Sequence, residues 1–99
     1  MVRSRNEILE KIRQNLKTIK NFGVRRLGLF GSGARNEIGK ESDLDFVVEF
    51  ERKTFDAYMG LKFYLERLFQ CPVDLVIADA IKPRLRPYIL KEVIHAPGL

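Results

Sequence analysis

Along residues 4–23 the apolar positions Ile8, Ile12, Leu16 and Ile19 are spaced by four, four and three. That is the period of one buried helix face. Ser4 and Glu7 have capping-box spacing and Gly23 is a helix stop, so the pattern predicts one amphipathic helix over the whole stretch. "VRRLGLF" follows as a short strand with Leu27 and Leu29 on one face. After a polar turn, "DLDFVVEF" alternates strictly: Leu44, Phe46, Val48 and Phe50 point one way, and Asp43, Asp45, Val47 and Glu49 the other. Thr54 is placed to cap a helix "FDAYMGLKFYLERLFQ". Its apolar positions run from Phe55 through Phe63 to Phe69, a face wide enough for burial on more than one side. Pro72 opens a third strand, "VDLVI", with Asp74 and Val76 opposite Val73, Leu75 and Ile77. A last helix is expected to start near Pro83 and to bury Leu85, Tyr88, Ile89 and Val93.

The order helix, strand, strand, helix, strand, helix predicts an α+β (mixed α/β) fold. It has a small mixed sheet of about three strands with helices packed on one face. Ninety-nine residues suit a single domain, 1–99. A chain this small buries a limited fraction of its surface, so a partner or a homo-oligomer is expected.

Composition narrows the chemistry. The sequence is 45% hydrophobic and 31% charged, a globular balance. Eighteen Lys and Arg against 13 Asp and Glu give a net charge of +5, which favours anionic ligands. The basic residues are scattered with no long block, so nucleic acid is not expected as the direct substrate. Cys71 is the only cysteine, which excludes a disulfide framework and a cysteine-based zinc site. The charged N-terminus (Arg3, Arg5, Glu7) lacks the apolar run of a signal peptide, and no stretch is apolar enough to span a bilayer. The expected setting is cytoplasmic, away from membranes.

The strand from residue 43 poses a problem. Residues two apart on a strand point the same way with Cα atoms about 6.6 Å apart. Asp43 and Asp45 therefore share a face and repel. Asp74, on another strand of the sheet, joins them if the apolar faces of both strands meet the helices. Three carboxylates suit a hard divalent cation, Mg²⁺ or Mn²⁺, which would neutralise the repulsion. Asp79 is a weaker rival, read as a turn or helix cap, and Glu49 lies too far along the strand and is read as solvated. Gly31 and Ser32 directly follow a strand and precede a helical turn through "GARNE". Backbone N–H groups at such a turn form an anion nest, Gly31 permits close approach, the Ser32 hydroxyl adds a hydrogen bond, and Arg35 can aim its fork at phosphate. A phosphate cradle beside a metal site is what triphosphate chemistry needs.

Gly31-Ser32, ten intervening residues and Asp43-Leu44-Asp45 resemble the signature of the DNA polymerase β-like nucleotidyltransferases. Asp74 in "VDLV" sits where that family keeps its third carboxylate. The chain resembles the stand-alone minimal members, from its first helix to its last, although at Gly33 many of them carry arginine. The resemblance implies a polymerase β palm-like fold in which Asp43 and Asp45 hold two Mg²⁺ ions and the triphosphate of an NTP, with ATP as substrate. Gly31 and Ser32 would grip the β- and γ-phosphates. Asp74 would bind the second metal and help deprotonate an acceptor hydroxyl, which attacks the α-phosphorus as pyrophosphate leaves. About twenty residues follow the third strand, too few for an acceptor-binding domain of the kind larger members carry. A protein acceptor is therefore expected. Minimal members are often paired with a small helical HEPN ribonuclease toxin, and the resemblance implies an antitoxin that adds AMP to a toxin tyrosine. The alternative is a non-catalytic nucleotide- or toxin-binding module that neutralises its partner by contact. A metal nuclease also uses clustered carboxylates, but it does not need Gly31-Ser32, and His95, the only histidine, falls in the C-terminal tail.

Overall fold

Residues 4–35 and 43–99 are described by the computed structural model, with the side chains of Ser32 and Gly33 outside that description. The expected turn residues 36–42 therefore lie outside the described residues. Val24–Phe30 (β1) is the strand on which the sheet is assembled. Leu44–Phe50 (β2) pairs with it antiparallel, Val73–Ile77 (β3) pairs parallel with β2, and Ile94–His95 (β4) pairs antiparallel with β1. The strand order is β3-β2-β1-β4. The mixed α+β architecture stands, with one strand more than the three expected. The fourth is a two-residue pairing of Ile94 and His95 with Leu29 and Gly28, too short to leave a periodic signal.

The expected first helix is two. Arg5–Gln14 (α1) and Leu16–Lys20 (α2) meet at Asn15, whose φ of −114° and ψ of 21° leave the helical region. Asn15 Nδ2 donates to the Lys11 carbonyl at 2.8 Å, competing with the backbone ladder as a short polar side chain does. The Ser4 hydroxyl accepts from the Glu7 N–H at 3.2 Å, as the capping spacing predicts. A parallel β2–β3 pair needs a crossover, and Phe55–Phe69 (α4) supplies it. Thr54 Oγ1 caps α4 by accepting from the Ala57 N–H at 3.0 Å. Gln70, in the left-handed region at φ 54°, ends it.

The apolar face of the sheet, Leu27, Leu29, Phe46 and Val48, is fully buried against Ile8, Ile12, Ile19, Leu61, Leu65 and Phe69. Phe46 and Phe69 stack with centroids 5.8 Å apart. α4 is narrower than its composition suggested: Phe55 is 77% exposed and Phe63 57%. The last helix, Arg86–Glu92 (α5), begins three residues after Pro83 and buries no residue fully. Tyr88, expected in its buried stripe, is 74% exposed, and Leu85 precedes the helix half-exposed.

α5 and β4 instead furnish the opposite sheet face. Val93 packs on Gly28, where a Cβ would collide with its Cγ1, and Val47 lies in the same contact. Val47 is consequently 5% exposed although it alternates with aspartates. Arg86, Leu90 and His95 gather with Arg26 and Glu49 further along that face. The edge of β3 is guarded by α4: Glu66 accepts from the Val73 N–H at 3.1 Å, and the Tyr58 hydroxyl donates to the Leu75 carbonyl at 2.7 Å. Bonds of this kind spend the free edge groups of a strand.

Candidate active site

β1 ends at Phe30, whose register partner is Asp45. The next residue, Gly31, therefore lands against the Asp45 carboxylate. Its φ is +69°, in the left-handed region, and a Cβ there would overlap Asp45 Oδ2. Glycine is needed at this position twice, for the backbone conformation and for the close approach. Gly31–Ala34 (α3) is a single helical turn, closed by the Arg35 N–H donating to the Gly31 carbonyl at 3.2 Å. Arg5 Nη1 donates to the Ala34 carbonyl at 3.1 Å and ties the turn to α1. The turn begins earlier than expected, at Gly31 itself. Ser32 shares its backbone, and its side chain lies outside the described parts.

Asp45 and Asp74 are direct register partners across the parallel β2–β3 pair. Neighbouring strands run about 4.8 Å apart, and paired residues point to the same face. Asp43 immediately precedes β2 and is exposed, as is Asp74, while Asp45 is half-buried. Burial pushes the Asp45 carboxyl above its ordinary pKa, the charges of Asp74 and then Asp43 push it further, and Arg35 opposes them. The charges of Asp74 and Asp43 thus both reach Asp45. Among the described residues no three carboxylate, imidazole or thiol groups stand at metal-binding spacing. Like charges that share a face avoid one another. The chemistry of the donors fits Mg²⁺ or Mn²⁺, since strand register sets the hard carboxylate oxygens of Asp45 beside those of Asp74.

Arg35 is one turn past Gly31, and its Nη1 meets Glu92 Oε2 of α5 at 3.3 Å. Glu92 and Cys71 are neighbours of the site that no motif announced. The Cys71 thiol is pushed up by burial and then by the charges of Asp43 and Glu66, which leaves it a poor nucleophile at neutral pH. Only its position, two residues before the Asp74 strand, could have drawn notice. Asp79 stands apart, exposed in the 3₁₀ turn Ala78–Ala80 with Lys53 Nζ 3.8 Å away. Glu49 is half-exposed and 3.8 Å from Arg26. His95 is exposed in β4, on the Gly28 side of the sheet.

The nucleotidyltransferase domain family matches residues 8–95. A relative from Thermococcus cleftensis named protein adenylyltransferase MntA is 38% identical over 77 residues, 77% of this chain and 78% of its own. A provisionally named protein adenylyltransferase of Methanocaldococcus jannaschii is 40% identical over 90 residues, 89% of each chain. A solved structure, provisionally named a minimal nucleotidyltransferase, superposes with a TM-score of 0.73 at 37% identity, covering 87% of this chain and 93% of that one. The same fold, at 20% identity and a TM-score of 0.67, occurs in the complex of a tri-AMPylated Shewanella oneidensis HEPN toxin with its MNT antitoxin, covering 96% of this chain and 73% of that one. The chain belongs to the nucleotidyltransferase family, in its minimal, polymerase β-like branch, and is an enzyme of that class. Among the described residues no helix is long and apolar enough to cross a membrane.

Proposed function

We propose that this enzyme moves AMP from ATP to a tyrosine hydroxyl of a small helical HEPN toxin and thereby acts as the toxin's antitoxin. The observation that carries the chemistry is the register of Asp45 with Asp74, beside the Gly31 turn that presses on Asp45. The choice of acceptor is supported by the relatives named protein adenylyltransferases and by the fold shared with an antitoxin solved on its AMPylated toxin. ATP as donor is supported by a further neighbour of the same fold, a toxin–antitoxin complex with AMP-PNP.

Two Mg²⁺ ions, or Mn²⁺, held by Asp43, Asp45 and Asp74 would neutralise the triphosphate and the charge that develops on it. The N–H groups of the Gly31 turn and the Ser32 hydroxyl bind the β- and γ-phosphates, with Arg35 at their edge. These contacts hold the α-phosphorus in front of the carboxylate face. Asp74, on its own strand, takes the proton of the incoming hydroxyl. The hydroxyl oxygen bonds to the α-phosphorus, the bond from that phosphorus to the bridging oxygen breaks, and pyrophosphate leaves with the electron pair. With Asp43 and Asp74 exposed at the surface, the acceptor protein brings its own docking surface.

The test uses ATP labelled at either the α- or the γ-phosphate, Mg²⁺ and the small helical HEPN toxin proposed as acceptor. Label on the protein from α-labelled ATP alone is the expected result. Label from the γ-position would make the chain a kinase, and no label from either would refute transfer.

A further inference from the structure

Glu92 stands at an electrostatically awkward position. It is the last residue of α5, where the negative end of the helix dipole disfavours a carboxylate. It is not buried and fills no core position. Its partner is Arg35, 3.3 Å away and 57 residues distant in sequence. Arg35 in turn acts on Asp45, lowering the pKa that its carboxylate neighbours raise. One guanidinium thus meets the carboxylate of α5 and acts on that of Asp45. Both partners are about half-exposed, 48% and 47%. A pair so exposed is weakly held and readily exchanged for a stronger partner. A polyphosphate is such a partner, since it offers guanidinium a bidentate, more highly charged acceptor.

From this geometry we propose that Glu92 is a positioning residue that competes with phosphate for Arg35, so that Arg35 passes from Glu92 to the bound polyphosphate and back. The inference rests on the reading of Arg35 as a phosphate contact in ATP binding. The carboxylate keeps Arg35 beside the site before the nucleotide arrives. It also offers Arg35 an alternative partner when pyrophosphate must leave, so it favours product release at the expense of nucleotide affinity. Val93, the residue after Glu92, is locked on Gly28, so the end of α5 is anchored to the sheet that carries the carboxylates.

The experiment measures binding, which needs no acceptor. Calorimetry with Mg²⁺·ATP and with Mg²⁺·pyrophosphate is run on the wild type, Glu92→Gln, Glu92→Asp and Arg35→Gln, and on the double variant Arg35→Gln/Glu92→Gln. Removing a competitor of this strength should tighten both ligands by about 1.5- to 5-fold in Glu92→Gln. Glu92→Asp should stay near wild type. In the Arg35→Gln background, Glu92→Gln should change neither constant, because its effect passes through Arg35. Unchanged or weakened binding in Glu92→Gln overturns the inference while leaving the transferase reading intact, provided the wild type binds ATP. An equal tightening in the Arg35→Gln background also overturns it, since Glu92 would then act only by its field. If the wild type binds neither ligand, this inference and the nucleotide reading fall together. A thermal melt of each variant guards against misfolding, and a folded Glu92→Gln with weaker ATP binding counts against the proposal.

Discussion

Replacing Gly31 by alanine should damage both the fold and the carboxylate site. Two costs add. At φ +69° an L-residue sits in the left-handed region, which costs about 1–2 kcal/mol. The new methyl also overlaps Asp45 Oδ2, so the carboxylate must swing away from the face it shares with Asp74. Gly23 provides the control: its φ is +83°, yet nothing lies within 4 Å of a Cβ there. Gly23→Ala should therefore cost only the backbone part. One kcal/mol shifts the melting temperature of a domain this size by about 4–8 °C, so calorimetry resolves the difference. Gly31→Ala should melt well below Gly23→Ala, and it should lose Mg²⁺-dependent stabilisation, which Gly23→Ala keeps. Truncating the obstructing side chain should recover part of the loss, so Gly31→Ala/Asp45→Ala should be more stable than the sum of the two single changes predicts. If Gly31→Ala matched Gly23→Ala in stability and kept its response to Mg²⁺, the contact between the turn and Asp45 would be disproved.

Two further outcomes follow from the same geometry. Asp45 has its pKa raised in the fold, so the folded state binds that proton more tightly than the unfolded chain, and stability falls as pH rises from the unfolded aspartate range through the raised value. With chelator present, Asp45→Asn should therefore melt higher than wild type at neutral pH, with the gain shrinking as the pH falls through the raised value to the ordinary aspartate range; a lower melting temperature at neutral pH would contradict this. Thr54→Ala removes the cap of α4 and should cost about 1 kcal/mol, seen as a lower melting temperature with ATP affinity unchanged, because the cap is remote from the carboxylate face.

The strands were legible because alternation is strict where one face is buried. "DLDFVVEF" declares both its inward apolar set and its aspartates, and β2 begins within one residue of the expected place. The spaced glycine-serine and aspartate motif likewise points to the family that matches residues 8–95. What stayed hidden is what periodicity does not encode. The apolar repeat runs through Asn15 unbroken, because α1 and α2 keep their inward faces aligned while one side-chain bond interrupts the ladder. β4 is defined by two residues and by Val93 packing on Gly28, a long-range contact with no local signature. In α5 the sheet-facing side includes Arg86, whose long stem lines the face as lysine and arginine stems do. The apolar stripe read from Leu85 and Tyr88 was therefore turned away from its true direction. The alternation of β3 put Asp74 on a polar face, but only the parallel register set it opposite Asp45 rather than a residue away.

The central claim is that the carboxylate face performs group transfer and that Asp74 serves the acceptor rather than the nucleotide. Asp74→Asn tests it most directly, with ATP binding by calorimetry and the intact mass of the partner protein measured on the same preparation. The account predicts that Mg²⁺·ATP still binds, since the Gly31 turn and the Asp43–Asp45 pair remain, while the partner gains no adenylyl group. An Asp74→Asn enzyme that adenylylates its partner at the wild-type rate would contradict it.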